Sequence, residues 1–429
     1  MKNCKTILFV FGKPLVNIMG LLLYLMYNII GGNMFFEETQ TSKDEFRIKL
    51  EYYKKILDNI YNRANSSSKM GRIAVDLCNF VDLYENIFEE DIDIHWMNDE
   101  EMLELAFRDN LKTTNSFIDH IVNNNKFYDE FSSEMISIYK NNKFPFYNKY
   151  NKYRENMRKI SESEMIEIIC SFLNNYDEKL CENFREKIKE NEIIFLNDLD
   201  IFDGLTINIS CISKNFILLS LSQGKNIYFA KTLLHELGHS YEYKLQNDTN
   251  MSMRIFDTPF YEISSSFFEY AFLKYLEENN IYNNDVSNCL NIHFREIFNY
   301  IFDVKLVCKM KSFYVDESRE VCLLDKDIVD FVKKIENDIN FYELPKYESS
   351  INLISGYIYS LGMIFSVYLY DVYKNDPNNF KINFAKSLCE YPLVKDLSVF
   401  EKIGINKEEL LNGKTYNKTL KKFLEVSNN

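Results

Sequence analysis

Chain breakers are scarce in this sequence. Twelve glycines and six prolines punctuate 429 residues in which Leu, Ile, Lys, Glu, Asn and Tyr dominate. Gly and Pro are the residues a helix interior tolerates least, so a chain with so few of them is biased towards long helices over many short strands. The segment DEFRIKLEYYKKILDNIY carries the pattern: Phe46, Leu50, Tyr53, Leu57 and Ile60 recur at steps of four and three, which puts one apolar stripe on a helix. Similar patterns run to about residue 190, with ANSSSKMG at 64–71 read as a loop. The 46% hydrophobic content can fill the cores of two or three domains at this length.

Between 192 and 230 the texture changes. EIIFLND, LTINISCI and NFILLSLS are short apolar runs with β-branched residues, separated by Asp, Gly, Lys and Asn, and they predict a small sheet. A helix is then expected from about Ala230, through LLHELGHSYEYKLQ. Two of the chain's five histidines stand four residues apart there. Positions i and i+4 share a helix face, so His235 and His239 can aim their rings at one point. Hydrolytic zinc sites use three protein ligands and an open fourth position. His235 and His239 supply two, and Glu236 stands where it can take the proton from water activated by the metal. The third ligand must come from elsewhere, and likeness to thermolysin-like proteins implies a Glu on a following helix. TPFYEISSSFFEYAFLKYL offers Glu262, 23 residues past His239, and Glu269 two turns further on the same face as a carboxylate to orient a ligating imidazole. Tyr241 and Glu242 read as packing and surface. His95, His120 and His293 have no ligand-like company and read as structural.

Composition narrows the partners. A formal charge of -14 argues against a nucleic-acid surface, because phosphate binding draws on clustered Lys and Arg. The nine cysteines are scattered, odd in number and without a C-x-x-C pair, which reads as reduced structural thiols in a cytosolic setting. The amino terminus pulls the other way. PLVNIMGLLLYLMYNIIGGNMFF, 14–36, has no charged residue and is long enough to cross a bilayer, with Lys2, Lys5 and Lys13 before it. A signal anchor, a signal peptide without a clear A-x-A site, a buried helix, or a stretch upstream of a start at Met34 are the readings it allows. The localisation expected is therefore cytoplasmic or membrane-anchored through this segment. The aromatic run NNKFPFYNKYNKY at 142–153 reads as a half-buried loop, with a binding surface as its alternative.

These residues resemble a known family. FILLSLSQGKNIYFAKTLLHELGHS followed by EISSSFFEYAFL is similar to the oligoendopeptidase F branch of the thimet oligopeptidase family, in which H-E-x-G-H and a downstream Glu hold zinc. SGYIYSLGMIFSVYLYDVYKNDPNNF at 355–380 resembles the family's Tyr-rich helix, and FEKIGINKEEL its closing G-[IV]-D segment, with Asn406 in place of Asp. The resemblance implies a mainly α, helical zincin-type metallopeptidase with a small β-sheet next to the zinc helix, and one zinc ion per chain. It places the ligands on His235, His239 and Glu262, the general base on Glu236, and the transition-state tyrosines on Tyr357 and Tyr359. The family's histidine before the Tyr pair has no counterpart in YESSINLIS, where Glu348 is nearest in register. The domain organisation expected is a hydrophobic segment at 1–36, a helical lobe at 37–190 and a catalytic domain at 191–429. The function implied is zinc-dependent hydrolysis of internal bonds in short peptides, with oligomeric state undetermined. Alternatives are an inactive zinc-containing, peptide-binding pseudoenzyme, or a membrane-associated CAAX-type protease, which would need several hydrophobic spans.

Overall fold

The computed structural model describes residues 40–63, 67–88, 90, 156–196, 203–221, 224–247, 262–293, 296, 350–394, 397–404 and 406. Among them the fold is mainly helical with one three-stranded sheet, as the scarcity of chain breakers predicts. The segment at 14–36, the aromatic run at 142–153, His95, His120 and Glu348 lie outside the described residues. No helix among the described residues is long and apolar enough to cross a membrane. The chain forms two compact units. One comprises Met1–Phe107, Ile166–Gly224 and Tyr243–Arg254; the other comprises Arg108–Met165, Lys225–Glu242 and Ile255–Asn429.

The first unit opens with α1, Gln40–Tyr61, and α2, Ser67–Phe88. The apolar stripe is where the periodicity puts it: Phe46, Leu50, Tyr53 and Leu57 are buried, and Ile60 packs at the edge of the same cluster. Of the stretch 64–71 expected as a loop, Ser67 to Gly71 belong instead to α2. After α3, Glu162–Tyr176, which belongs to this unit from Ile166 on, and α4, Glu178–Lys189, come the strands β1, Ile193–Leu196, β2, Gly204–Ile209, and β3, Lys214–Ser220. Their order is β1-β3-β2, with β1 parallel and β2 antiparallel to the central β3. Alternate residues Phe216 and Leu218, with Ile194, Ile207 and Ile209, join the core formed with α1 and α2. Ile193, Phe195, Ile217 and Leu219, of opposite parity, are buried as well. A strand covered on both faces reads as a continuous apolar run, which is the texture the sequence shows. The β2–β3 connection is a 3-10 turn, Ser210–Ile212, closed by Ser213 at φ +58°. Buried Asp76 of α2 anchors it, accepting from Ser210 N and Oγ and from Cys211 N at 2.7 Å.

The second unit holds the helix that carries His235 and His239, α5, Ile227–Gln246, up to Glu242. Helix α6, Ile263–Glu278, follows, then the helical stretch 283–293 (α7), α8, Ser350–Asn375, and α9, Pro377–Val394. Helix α5 starts three residues before the expected Ala230, because the Asn226 side chain caps it by accepting from Phe229 N at 2.9 Å. The Tyr-rich segment 355–380 is two helices. Asp376 accepts from Asn379 N at 3.2 Å as the cap of α9 and Pro377 takes its first position, where its missing N–H costs nothing. Phe267 of α6 packs on Phe380 and Phe384 of α9, with ring centroids 5.1 and 5.2 Å away, and on Tyr373 of α8 at 6.1 Å. Among the described residues, Cys170, Cys181, Cys211, Cys289 and Cys389 form no disulfide.

Candidate metal and catalytic site

Every described residue of the site lies in the second unit. Helix α5 presents His235 and His239 one turn apart, with ring centroids 5.0 Å apart and ring planes at 80°. Glu262 sits at the N-cap of α6. Its Oε2 lies 3.1 Å from His235 Nε2 and 3.2 Å from His239 Nε2. The donor atoms of the three side chains all fall within 4.8 Å of one another. Ser265 holds the carboxylate in place, its Oγ donating to Glu262 Oε2 at 2.8 Å. Glu236, directly after His235, is buried.

Two glycines let these elements approach. A Cβ on Gly238, inside the H-E-L-G-H turn, would stand 2.4 Å from Ser265 Cα of α6. One on Gly362 of α8 would stand 2.4 Å from the Glu262 carbonyl oxygen. The backbone around Glu262 is thus packed between two helices at positions where only hydrogen fits. Three residues before Gly362, Tyr359 places its ring 6.3 Å from that of His235, inclined by 23°. Tyr357 belongs to α8 by its backbone, while its side chain lies outside the described residues.

The hydrogen bonds define the electrostatics of this cluster. His235 Nδ1 is 3.1 Å from Glu269 Oε2. An ionised carboxylate only accepts, so Nδ1 carries the hydrogen, and in the neutral ring Nε2 is then a lone pair. That lone pair faces Glu262 Oε2, another acceptor, at 3.1 Å. Two buried acceptors at this separation need a positive charge between them. With no metal, a proton serves: burial pulls the His235 imidazolium down, yet the bonds to Glu262 and Glu269 outweigh it and hold the group well above the ordinary histidine range. Burial likewise opposes ionisation of the two carboxyls, and is again outweighed. His239 and His235 keep Glu262 far below the usual range, and Lys231, His235 and His293 do the same for Glu269. Two imidazole nitrogens and one carboxylate oxygen, converging where a cation is demanded, fit the donor set of hydrolytic zinc.

Other residues depart from their sequence readings. Glu242, expected on the surface, is buried and accepts from Ser264 Oγ at 2.7 Å, while Tyr241 packs edge-on against Phe268. His293 is structural in that it is no ligand, but it is not isolated. Its Nδ1 lies 2.9 Å from Glu269 Oε1. Lys231, unremarked in the sequence, lies 2.8 Å from the same oxygen. Its one available signal was its place a turn before His235 on the same helix face.

No family model matches the chain, and no curated protein matches it. It is similar to several solved structures. One is a candidate oligoendopeptidase F from Bacillus anthracis, with 12% identity over 87% of this chain and 64% of that one, at a TM-score of 0.49. Another is a candidate peptidase from Chlamydophila abortus, with 12% identity over 98% of this chain and 70% of that one, at 0.46. A third, PZ peptidase A with an inhibitor, shares 12% identity over 89% of this chain and 68% of that one, at 0.46.

Proposed function

We propose that this chain is a zinc-dependent metalloendopeptidase that hydrolyses internal bonds of short peptides. The observation that carries the reading is the convergence of His235 Nε2, His239 Nε2 and Glu262 Oε2, with Glu236 beside the first ligand. These three side chains would hold the metal, which when bound supplies a Lewis acid that lowers the pKa of water to about 7 and polarises a carbonyl. Glu236 takes the proton of the attacking water and passes it to the leaving amine. Tyr359, whose ring lies alongside that of His235, and Tyr357 donate to the oxygen that gains negative charge at the scissile carbonyl. A tyrosine hydroxyl with an ordinary pKa near 10 remains a donor at neutral pH. The substrate class, peptides of on the order of ten residues held as extended strands, comes from the resemblance to oligoendopeptidase F and from the main-chain pairing that such peptides make.

The test is metal analysis of purified protein together with cleavage of a mixed peptide library. One zinc per chain is expected, with cleavage lost to a chelator and restored by added zinc. Full cleavage by metal-free protein would overturn the reading.

A further inference from the structure

Behind His235 lies a buried set of charged side chains that the ligands alone do not require. Lys231 and Glu269 keep 4% and 3% of their side-chain surface, His293 none and Glu296 15%. Glu269 divides its two oxygens between different tasks. Oε1 meets Lys231 Nζ at 2.8 Å and His293 Nδ1 at 2.9 Å, while Oε2 faces His235 Nδ1 at 3.1 Å. Lys231 also stands 3.6 Å from Glu296 Oε2 and above the Tyr228 ring, 4.6 Å from its centroid. The far nitrogen of His293, Nε2, lies 3.4 Å from Ser366 Oγ of α8, whose hydroxyl donates to Met363 O at 2.6 Å.

Stability alone does not account for this arrangement. Taking Lys231 and Glu269 out of water costs about what their attraction returns, and apolar side chains of similar volume would serve a core as well. Geometry does account for it. A carboxylate that touched His235 and nothing else could turn about its last bond and offer either oxygen, and the imidazole would follow. Two donors on Oε1, brought by α5 and α7, leave Oε2 alone for the ring. The carboxylate is then fixed from two directions, and so is the hydrogen on Nδ1.

We propose that Lys231 and His293 are positioning residues of the metal centre. By occupying Glu269 Oε1 together, they keep Oε2 on His235 Nδ1 and thereby keep His235 Nε2 on the point it shares with His239 and Glu262. This rests on the metallopeptidase reading above. It adds two residues that touch neither metal nor substrate, and it predicts what each does to metal binding.

The experiment measures zinc affinity of the full chain by competition with a chromophoric chelator, and the visible spectrum after cobalt substitution. The proteins are the parent, Lys231→Met, Lys231→Arg, His293→Phe and His293→Asn. The parent is measured first, since a parent that binds no zinc overturns the metallopeptidase reading itself. With a zinc-binding parent, Lys231→Met and His293→Phe are expected to bind about 10- to 100-fold more weakly and to alter the cobalt spectrum. Lys231→Arg and His293→Asn, which keep a donor for Oε1, are expected to recover most of the affinity. If Lys231→Met fails to fold with its carboxylate partners left buried, the two His293 variants decide the matter, because both keep the Lys231 to Glu269 pair. Folded variants that melt at lower temperature yet bind zinc with parental affinity and spectrum would show these residues to be structural only, and would overturn the proposal.

Discussion

Replacing Gly362 with alanine tests the packing that places Glu262, the third ligand proposed above. The new Cβ would meet the Glu262 carbonyl oxygen at 2.4 Å, Glu262 Cβ at 2.6 Å and Glu262 C at 2.7 Å. None of these is the far end of a flexible side chain, so no rotamer change relieves the clash. Ordinary contact begins at 3.4 Å, so α8 or the turn at Glu262 has to yield by about 1 Å. Overpacking of this kind costs about 1–3 kcal/mol. The effect on metal should be larger in kind, because ligand distances in a working site hold to within about 0.2 Å. A displacement of this size at Glu262 also disturbs the 3.1 and 3.2 Å approaches to the two imidazoles. Gly362→Ala is therefore expected to lower the stability of metal-free protein by about 1–3 kcal/mol in urea denaturation. It should also weaken zinc binding at least about 10-fold in a chelator competition, the low end of what a misplaced support costs. Gly404→Ala is the control. Its φ of +82° makes alanine strained there, at about 1 kcal/mol, but the new Cβ would have Tyr368 Oη, at 3.9 Å, as its nearest neighbour and would meet none of His235, His239 and Glu262. Parental stability and parental zinc affinity in Gly362→Ala would refute the claim that α8 bears on Glu262 at this distance.

Glu236→Gln should keep its zinc and lose about 100- to 10,000-fold in turnover, whereas Glu262→Ala should lose the metal itself; zinc content after gel filtration separates the two. Tyr359→Phe should lower kcat by up to about 100- to 1,000-fold with zinc content and circular dichroism unchanged, and Tyr357→Phe to a different degree. If the single and double variants all turn over at the parental rate, tyrosine is not the donor. In the first unit, Glu192 is buried with Lys187 Nζ at 3.0 Å and Lys214 also on its carboxylate, so Glu192→Gln should destabilise by about 3–5 kcal/mol through the charge left on Lys187. Burial opposes ionisation of Glu192, but the two lysines outweigh it and its pKa falls below 4.5. Its unfolded state therefore binds the proton more readily, so its stabilisation is full above pH 4.5 and is lost as pH falls through the lower folded value. Acid denaturation of the parent against Glu192→Gln should show the gap between them closing over that range.

What the sequence determines by itself is local. The stripe Phe46, Leu50, Tyr53, Leu57 is legible because one helix turn repeats every 3.6 residues, and the pincer His235 and His239 for the same reason. The sheet is legible because strands buried on both faces must be apolar throughout. Two boundaries were open to the same kind of reading: Asn226 as the cap of α5, and Asp376-Pro377 as the break between α8 and α9. Glu262 and Glu269 share a helical register, which made both carboxylates visible with separate expected roles, but a register cannot set how close each comes to its nitrogen of His235. The tertiary structure decided that, along with the burial of Glu242 against Ser264. It also joined Lys231, Glu269, His293 and Ser366, from four helices and as far apart in the chain as 231 and 366, into one hydrogen-bonded line behind His235. Side-chain periodicity records only which face of its own helix a residue occupies. Which faces come together depends on how closely the helices can pack, and here that is set by the bare backbone at Gly238 and Gly362.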